Sequence, residues 1–171
     1  MQLPDNPSVP GSTPASSPAS GAPASTAPAP AARARADAAN TPARPLRLLL
    51  VEDAPTDAEL LLSRLRRLGY RVDSRRVWTE EAFSEALAGF APELIVSDHS
   101  MPTFDGMRAL GLARAVLPGV PFIFVSGTID AARSAAARAA GAAECLSKDN
   151  LAMLGAVLEQ ALGIGKDTGQ E

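Results

Sequence analysis

The most constraining feature of this chain is a recurrence. Short apolar runs, each too brief for a helix, end on polar or charged residues and alternate with stretches of helical spacing. Leu46 to Val51 (LRLLLV) ends at Glu52 and Asp53, and Leu94 to Val96 ends at Ser97 and Asp98. Phe122 to Val125 (FIFV) ends at Ser126, and Glu144 to Ser147 ends at Lys148. Runs with apolar residues on both faces predict strands covered from both sides. Tyr70 to Val77 (YRVDSRRV) mixes branched and charged residues, which suits a sheet edge.

The stretches between these runs carry helix signals. Pro55 suits the first turn of a helix starting near Ala54 to Thr56, and Ala58, Leu61, Leu62, Leu65 and Leu68 follow at helical spacing until Gly69. Thr79 is the expected cap of a second helix, with Trp78 and Phe83 placed as a hydrophobic staple and Glu80 and Glu81 near the positive end. Three more helices are predicted over about residues 107–116, 131–140 and 151–162, the last capped by Asp149 or Asn150. Five strands alternating with five helices predict a doubly wound α/β fold, a parallel sheet with helices on both faces, because the crossovers are right-handed. The expected strand order is the flavodoxin-like 2-1-3-4-5. Ligands in such a sheet gather outside the carboxyl ends of the strands, beside the switch between strands 1 and 3.

Composition separates two regions. Ten of the fifteen prolines lie in the first 45 residues, and residues 1–44 are Ala, Pro, Ser, Thr and Gly with hardly a branched aliphatic, which predicts a disordered extension. A folded domain is expected over 45–165, with a flexible tail over 166–171. Residues from Pro45 onward hold 13 basic against 17 acidic side chains, a mildly acidic body without the footprint of a nucleic-acid binder. One cysteine, Cys145, and one histidine, His99, exclude an internal disulfide and a His-rich metal cage. No stretch of eighteen apolar residues and no secretion signal stand in the sequence, so no membrane insertion and a cytoplasmic location are expected.

The residues closing the strands should converge. Glu52, Asp53 and Asp98 would repel one another, and a hard divalent cation with oxygen ligands, most simply Mg²⁺, relieves that repulsion. Ser126 and Lys148 would face the same spot. An ionised carboxylate flanked by a metal, a hydroxyl and an ammonium suits in-line attack on a phosphoryl group to form an acyl phosphate, and Asp98 is the candidate nucleophile.

At these residues the chain resembles the receiver domains of two-component response regulators, over about residues 46–163. The resemblance is carried by the acidic pair in LLLVEDAPTDAELL, the DxxMPxxxG loop as DHSMPTFDG, the hydroxyl in FIFVSGTID and the lysine in CLSKDN. It implies Asp98 as phosphoacceptor, Glu52 and Asp53 as the acidic metal site, the main-chain carbonyl of Ser100 as a further metal ligand, Ser126 as switch hydroxyl and Lys148 as phosphoryl contact. The implied donor is a histidine kinase or a histidine phosphotransfer protein. With nine residues after Leu162, output is expected in trans through a downstream protein. Two positions depart from the common receiver pattern: Cys145 stands where many receivers have an aromatic residue, and Asp149 where many have proline.

Two other readings use the same residues. An aspartate-nucleophile phosphohydrolase would carry a second aspartate two positions after the nucleophile, where this chain has Ser100. A phosphorylation-independent interaction module would keep the fold without the switch. Leu60 lies off the buried stripe of the first helix, near Arg64 and Arg67, and is a candidate partner contact together with Arg64. Met101, Phe104, Trp78 and Cys145 are read as structural, and His99 as an exposed loop histidine without a catalytic role.

Overall fold

The computed structural model describes residues 44–164. The predicted extension and tail otherwise fall outside the described residues. Arg44 is described, and its guanidinium forks onto the Glu93 carboxylate at 3.0 and 2.6 Å.

Five strands, β1 (Leu46–Val51), β2 (Val72–Val77), β3 (Leu94–Ser97), β4 (Phe122–Ser126) and β5 (Glu144–Ser147), form one sheet in the order β2-β1-β3-β4-β5. Every neighbouring pair is parallel. The predicted topology is therefore the observed one. Between the strands run α1 (Pro55–Arg67), α2 (Glu80–Gly89), α3 (Gly106–Val116) and α4 (Ala131–Ala139), and α5 (Leu154–Leu162) closes the domain.

Alternation along each strand builds two cores. Leu49, Val51, Ile95, Phe122 and Phe124 point to the side covered by α2, α3 and α4, where Phe83, Leu110 and Ala137 meet them. Leu48, Leu50, Leu94, Val96, Ile123 and Val125 point to the other side, where α1 contributes Leu61 and Leu65 and α5 contributes Leu154 and Leu158. Both faces of the three middle strands are thus dry, as their unbroken apolar sequence requires. β2 is the polar edge.

Three of the five helices described start on a side-chain cap, and of these Thr79 is the one anticipated from the sequence. The hydroxyl of Thr79 accepts from the Ala82 amide at 3.3 Å, and the carboxylates of Asp105 and Asp130 accept from the amides of Arg108 and Arg133. Phe83 is fully buried, whereas Trp78 is 43 % exposed and lies under the Arg76 guanidinium at 4.4 Å.

Two boundaries differ from expectation. β2 starts at Val72 rather than Tyr70, because the Tyr70 amide is engaged by the Leu65 carbonyl at the end of α1. The last helix begins at Leu154, after a 3₁₀ segment over Lys148–Met153 that is kinked at Asn150. Ser147 caps that 3₁₀ segment, its hydroxyl accepting from the Asp149 amide at 3.2 Å, while the last helix starts after Met153 with no side-chain cap, so neither Asp149 nor Asn150 caps it.

Candidate functional site

The carboxyl ends of β1, β3 and β5 and the first turn of α1 meet at one ammonium group. Lys148 Nζ lies 2.9 Å from Glu52 Oε2, 2.9 Å from Asp98 Oδ2 and 2.6 Å from Asp57 Oδ2. An ammonium carries three hydrogens, so these carboxylates satisfy all of them. Three carboxylates against one ammonium leave the cluster negative.

Each acid is held by backbone as well. The Asp98 amide donates to the Val51 carbonyl at 2.9 Å, and its Oδ1 accepts from the Ser100 amide at 3.1 Å. The carbonyl of Asp98 accepts from the Ser97 hydroxyl. Glu52 is buried, its amide donates to the Val77 carbonyl, and its Oε1 accepts from the Ala54 amide at 3.1 Å. Below the acidic pair, Arg76 donates to the carbonyls of Glu52 and Asp53 at 3.0 and 3.1 Å. Trp78, against which that guanidinium packs, accepts at its own carbonyl from the Thr103 hydroxyl of the loop after β3. The β1 and β3 ends are thereby braced together.

The same loop is anchored by Met101 and Phe104, both buried, with the Phe104 ring 5.5 Å from that of Phe83. Gly106 is required where the loop enters α3: a side chain there would stand 2.6 Å from the Asp98 carbonyl oxygen and 2.8 Å from the Phe124 ring. His99, expected as an exposed loop residue, is instead half-buried, with its ring 5.1 Å from that of Phe124.

Electrostatics follow from burial and partners. Burial pushes the Glu52 carboxyl above the usual carboxylate range, further raised by the Asp98 charge and only partly opposed by Lys148 and the Ala54 amide. For Lys148, burial disfavours the charged form, but the hydrogen bonds it donates to Asp57, Asp98 and Glu52 outweigh it and hold the ammonium well above the ordinary lysine value. Lys148 is therefore a fixed cation at neutral pH. Burial also raises the Cys145 thiol, which packs against the core facing α4.

Of the residues singled out from the sequence, Glu52, Asp98 and Lys148 come together. Asp53 is exposed, and its contact with the site runs through its carbonyl and Arg76. Ser126 is buried at the end of β4 with its hydroxyl facing the Thr128 amide at 3.4 Å. Ser100 is exposed and reaches Asp98 through its amide. Leu60 is 58 % exposed on α1, and Arg64 beside it is half-buried. Asp57 was absent from the expected set. The signal was available, since PTDAELL places an acid in the first turn of α1, four residues after Asp53.

Among the described residues no three acidic side chains stand together as a metal cage. The donor chemistry still suits a hard divalent cation, because every side-chain donor at the cluster is a carboxylate oxygen and the charge is uncompensated.

The family model for the response regulator receiver domain matches residues 48–158. The chain belongs to the response regulator receiver domain family. A curated relative, the response regulator protein FleR of Pseudomonas aeruginosa, is 36% identical over 121 residues, covering 68% of this receiver chain and 25% of FleR. The chain thus spans about a quarter of the length of the relative it matches. Among solved structures, the receiver domain of the sensor histidine kinase PA1611 from P. aeruginosa, with magnesium coordinated in its active-site cleft, matches at TM-score 0.60 and 25% identity over 70% of this chain and 99% of that one. A response regulator structure from Chloroflexus aurantiacus matches at TM-score 0.61 and 27% identity, over 70% and 99%. The receiver family is one of signalling phosphoacceptor domains in two-component systems. No helix among the described residues is long and apolar enough to cross a membrane.

Proposed function

We propose that the receiver domain, residues 45–165, accepts a phosphoryl group on Asp98 from a histidine kinase or histidine phosphotransfer protein in the cytoplasm and passes the signal in trans to another protein. The observation that carries this reading is the Lys148 ammonium 2.9 Å from an Asp98 oxygen at the end of β3.

An Asp98 carboxylate oxygen attacks phosphorus in line while the phosphorus–nitrogen bond of the donor phosphohistidine breaks. The imidazole nitrogen leaves with the electron pair and takes a proton from solvent. No side chain need act as base, since the carboxylate is already ionised. Lys148 offsets charge on the phosphoryl oxygens, where this reaction draws most of its catalysis. Ser126 is the hydroxyl that turns toward the phosphoryl group.

The side chains of Glu52, Asp53 and Asp98 and the main-chain carbonyl of Ser100 would hold a Mg²⁺ ion. When bound, the ion neutralises negative charge around phosphorus. The uncompensated carboxylates support this assignment, as does the magnesium in the PA1611 receiver. For the donor, Leu60 and Arg64 rim a groove of about 300 Å³ between α1 and the segment after β5, beside Lys148. An exposed leucine flanked by arginines suits one helix of a donor bundle.

The test is intact mass over time with Mg²⁺ and a small phosphodonor. One hydroxylamine-labile phosphoryl group, lost in Asp98→Asn, is the expected result. Turnover of phosphoesters without an adduct would favour a phosphohydrolase, and no adduct with any donor would favour an interaction module.

A further inference from the structure

We propose that Asp57 is a positioning residue, which holds the Lys148 ammonium against Asp98 from the first turn of α1. The inference rests on the phosphoacceptor reading of Asp98 and adds a residue to it.

The argument is geometric. Lysine ends in a compact charge on a flexible four-carbon stem, so its head goes where its acceptors and packing direct it. The head of Lys148 borders a cavity of about 190 Å³ whose apolar wall includes Leu50, Leu61, Val96, Val125 and Leu151, side chains that offer it no acceptor. The direction has to come from polar anchors. Glu52 alone would fix one N–H and leave the other two free to turn about that bond. Asp57, at 2.6 Å the shortest of the three contacts, fixes the second. With two of three tetrahedral directions set, the third N–H is aimed at Asp98 Oδ2, 2.9 Å away. When an Asp98 oxygen becomes the bridging oxygen of an acyl phosphate, the two anchors remain and the third N–H still faces the transferred group.

The competing explanation for Asp57 is local. An acid in the first turn of a helix favours the positive helix end, whatever Lys148 does. The two roles separate on substitution. Asp57→Asn removes the charge that the helix end favours but keeps an oxygen that accepts from Lys148; Asp57→Ala removes both.

Two measurements on the full chain test the proposal. The first follows phosphorylation of Asp98 against concentration of acetyl phosphate at saturating Mg²⁺, separating the rate at saturation from the half-saturating concentration. The second reads the Lys148 ammonium by ¹⁵N NMR without any donor, through its reorientation and its scalar coupling to the Asp57 carboxyl carbon. Asp57→Ala should lower the saturated rate roughly tenfold, short of the hundredfold that a misplaced catalytic group can cost. It should also loosen the ammonium, while Asp57→Asn restores most of both. If Asp57→Ala alters only the melting temperature, with the saturated rate and ammonium motion unchanged, the positioning role is refuted. Absence of any phosphoryl on wild-type Asp98 would refute the phosphoacceptor reading instead, and the ammonium spectra would still decide whether Asp57 holds Lys148.

Discussion

Gly106→Ala and Gly111→Ala add the same methyl group to the same helix, α3, with opposite consequences. At Gly106 the new carbon would stand 2.6 Å from the Asp98 carbonyl oxygen, 2.8 Å from Phe124 Cε1 and 3.1 Å from His99 Cα, where ordinary contact begins at 3.4 Å. Two of these neighbours are backbone, and the third is a fully buried ring of the core. None can give way cheaply, so the start of α3 must shift against the loop that carries Asp98. Overpacking of this kind costs about 1–3 kcal/mol, and the gain of alanine over glycine in a helix, about 0.5–1 kcal/mol, offsets only part of it. At Gly111, exposed in the middle of α3, nothing lies within 4 Å of the added carbon. There the helix gain stands alone. Urea unfolding followed by circular dichroism should therefore place Gly106→Ala roughly 1–2 kcal/mol below the wild type and Gly111→Ala about 0.5–1 kcal/mol above it, with similar m values. A Gly106→Ala protein within about 0.5 kcal/mol of wild type, or a Gly111→Ala protein less stable than wild type, would refute the packing argument.

Because burial holds the Glu52 carboxyl above 4.5, the folded chain binds that proton more tightly than the unfolded chain. Its stabilising contribution is complete below 4.5 and is lost as pH rises through the folded value. Glu52→Gln should match wild-type stability near pH 4 and gain on it as pH rises to 7, since Lys148 keeps Asp57 and Asp98 as partners; a variant less stable at pH 7 than at pH 4 relative to wild type contradicts this. Gly127 opens onto free space, and Ser100 is small and exposed, so water should reach an acyl phosphate on Asp98. Bulky replacements at Ser100 or Gly127 should lengthen its lifetime, measured by loss of the phosphorylated mass after donor removal, and an unchanged decay would dismiss the water-access argument.

The sheet was legible in the chain because each strand carries its own evidence. An apolar run such as FIFV can satisfy its pattern only between two dry layers, and a charged run such as VDSRRV only at an edge, so the order of elements and the rules of crossover were enough. The same logic placed Glu52, Asp98 and Lys148 at one end, since a parallel sheet brings every strand's carboxyl terminus to one side. The helix start at Thr79 was equally local. Cap preference is written into one residue and its third neighbour.

Which atoms meet is another matter. Lys148 and Glu52 are 96 residues apart, and the choice of Lys148 among nearby carboxylates depends on where α1 lands against the sheet. That docking is set by Leu61 and Leu65 in the core and brings Asp57 onto the ammonium. In the chain Asp57 looks like any acid near a helix start. Asp53 stands beside Glu52 in sequence, yet alternation at the strand end buries one and exposes the other. Arg76 under the acidic pair and the close approach behind Gly106 likewise arise from packing between segments far apart in the chain, which periodicity along any one of them cannot encode.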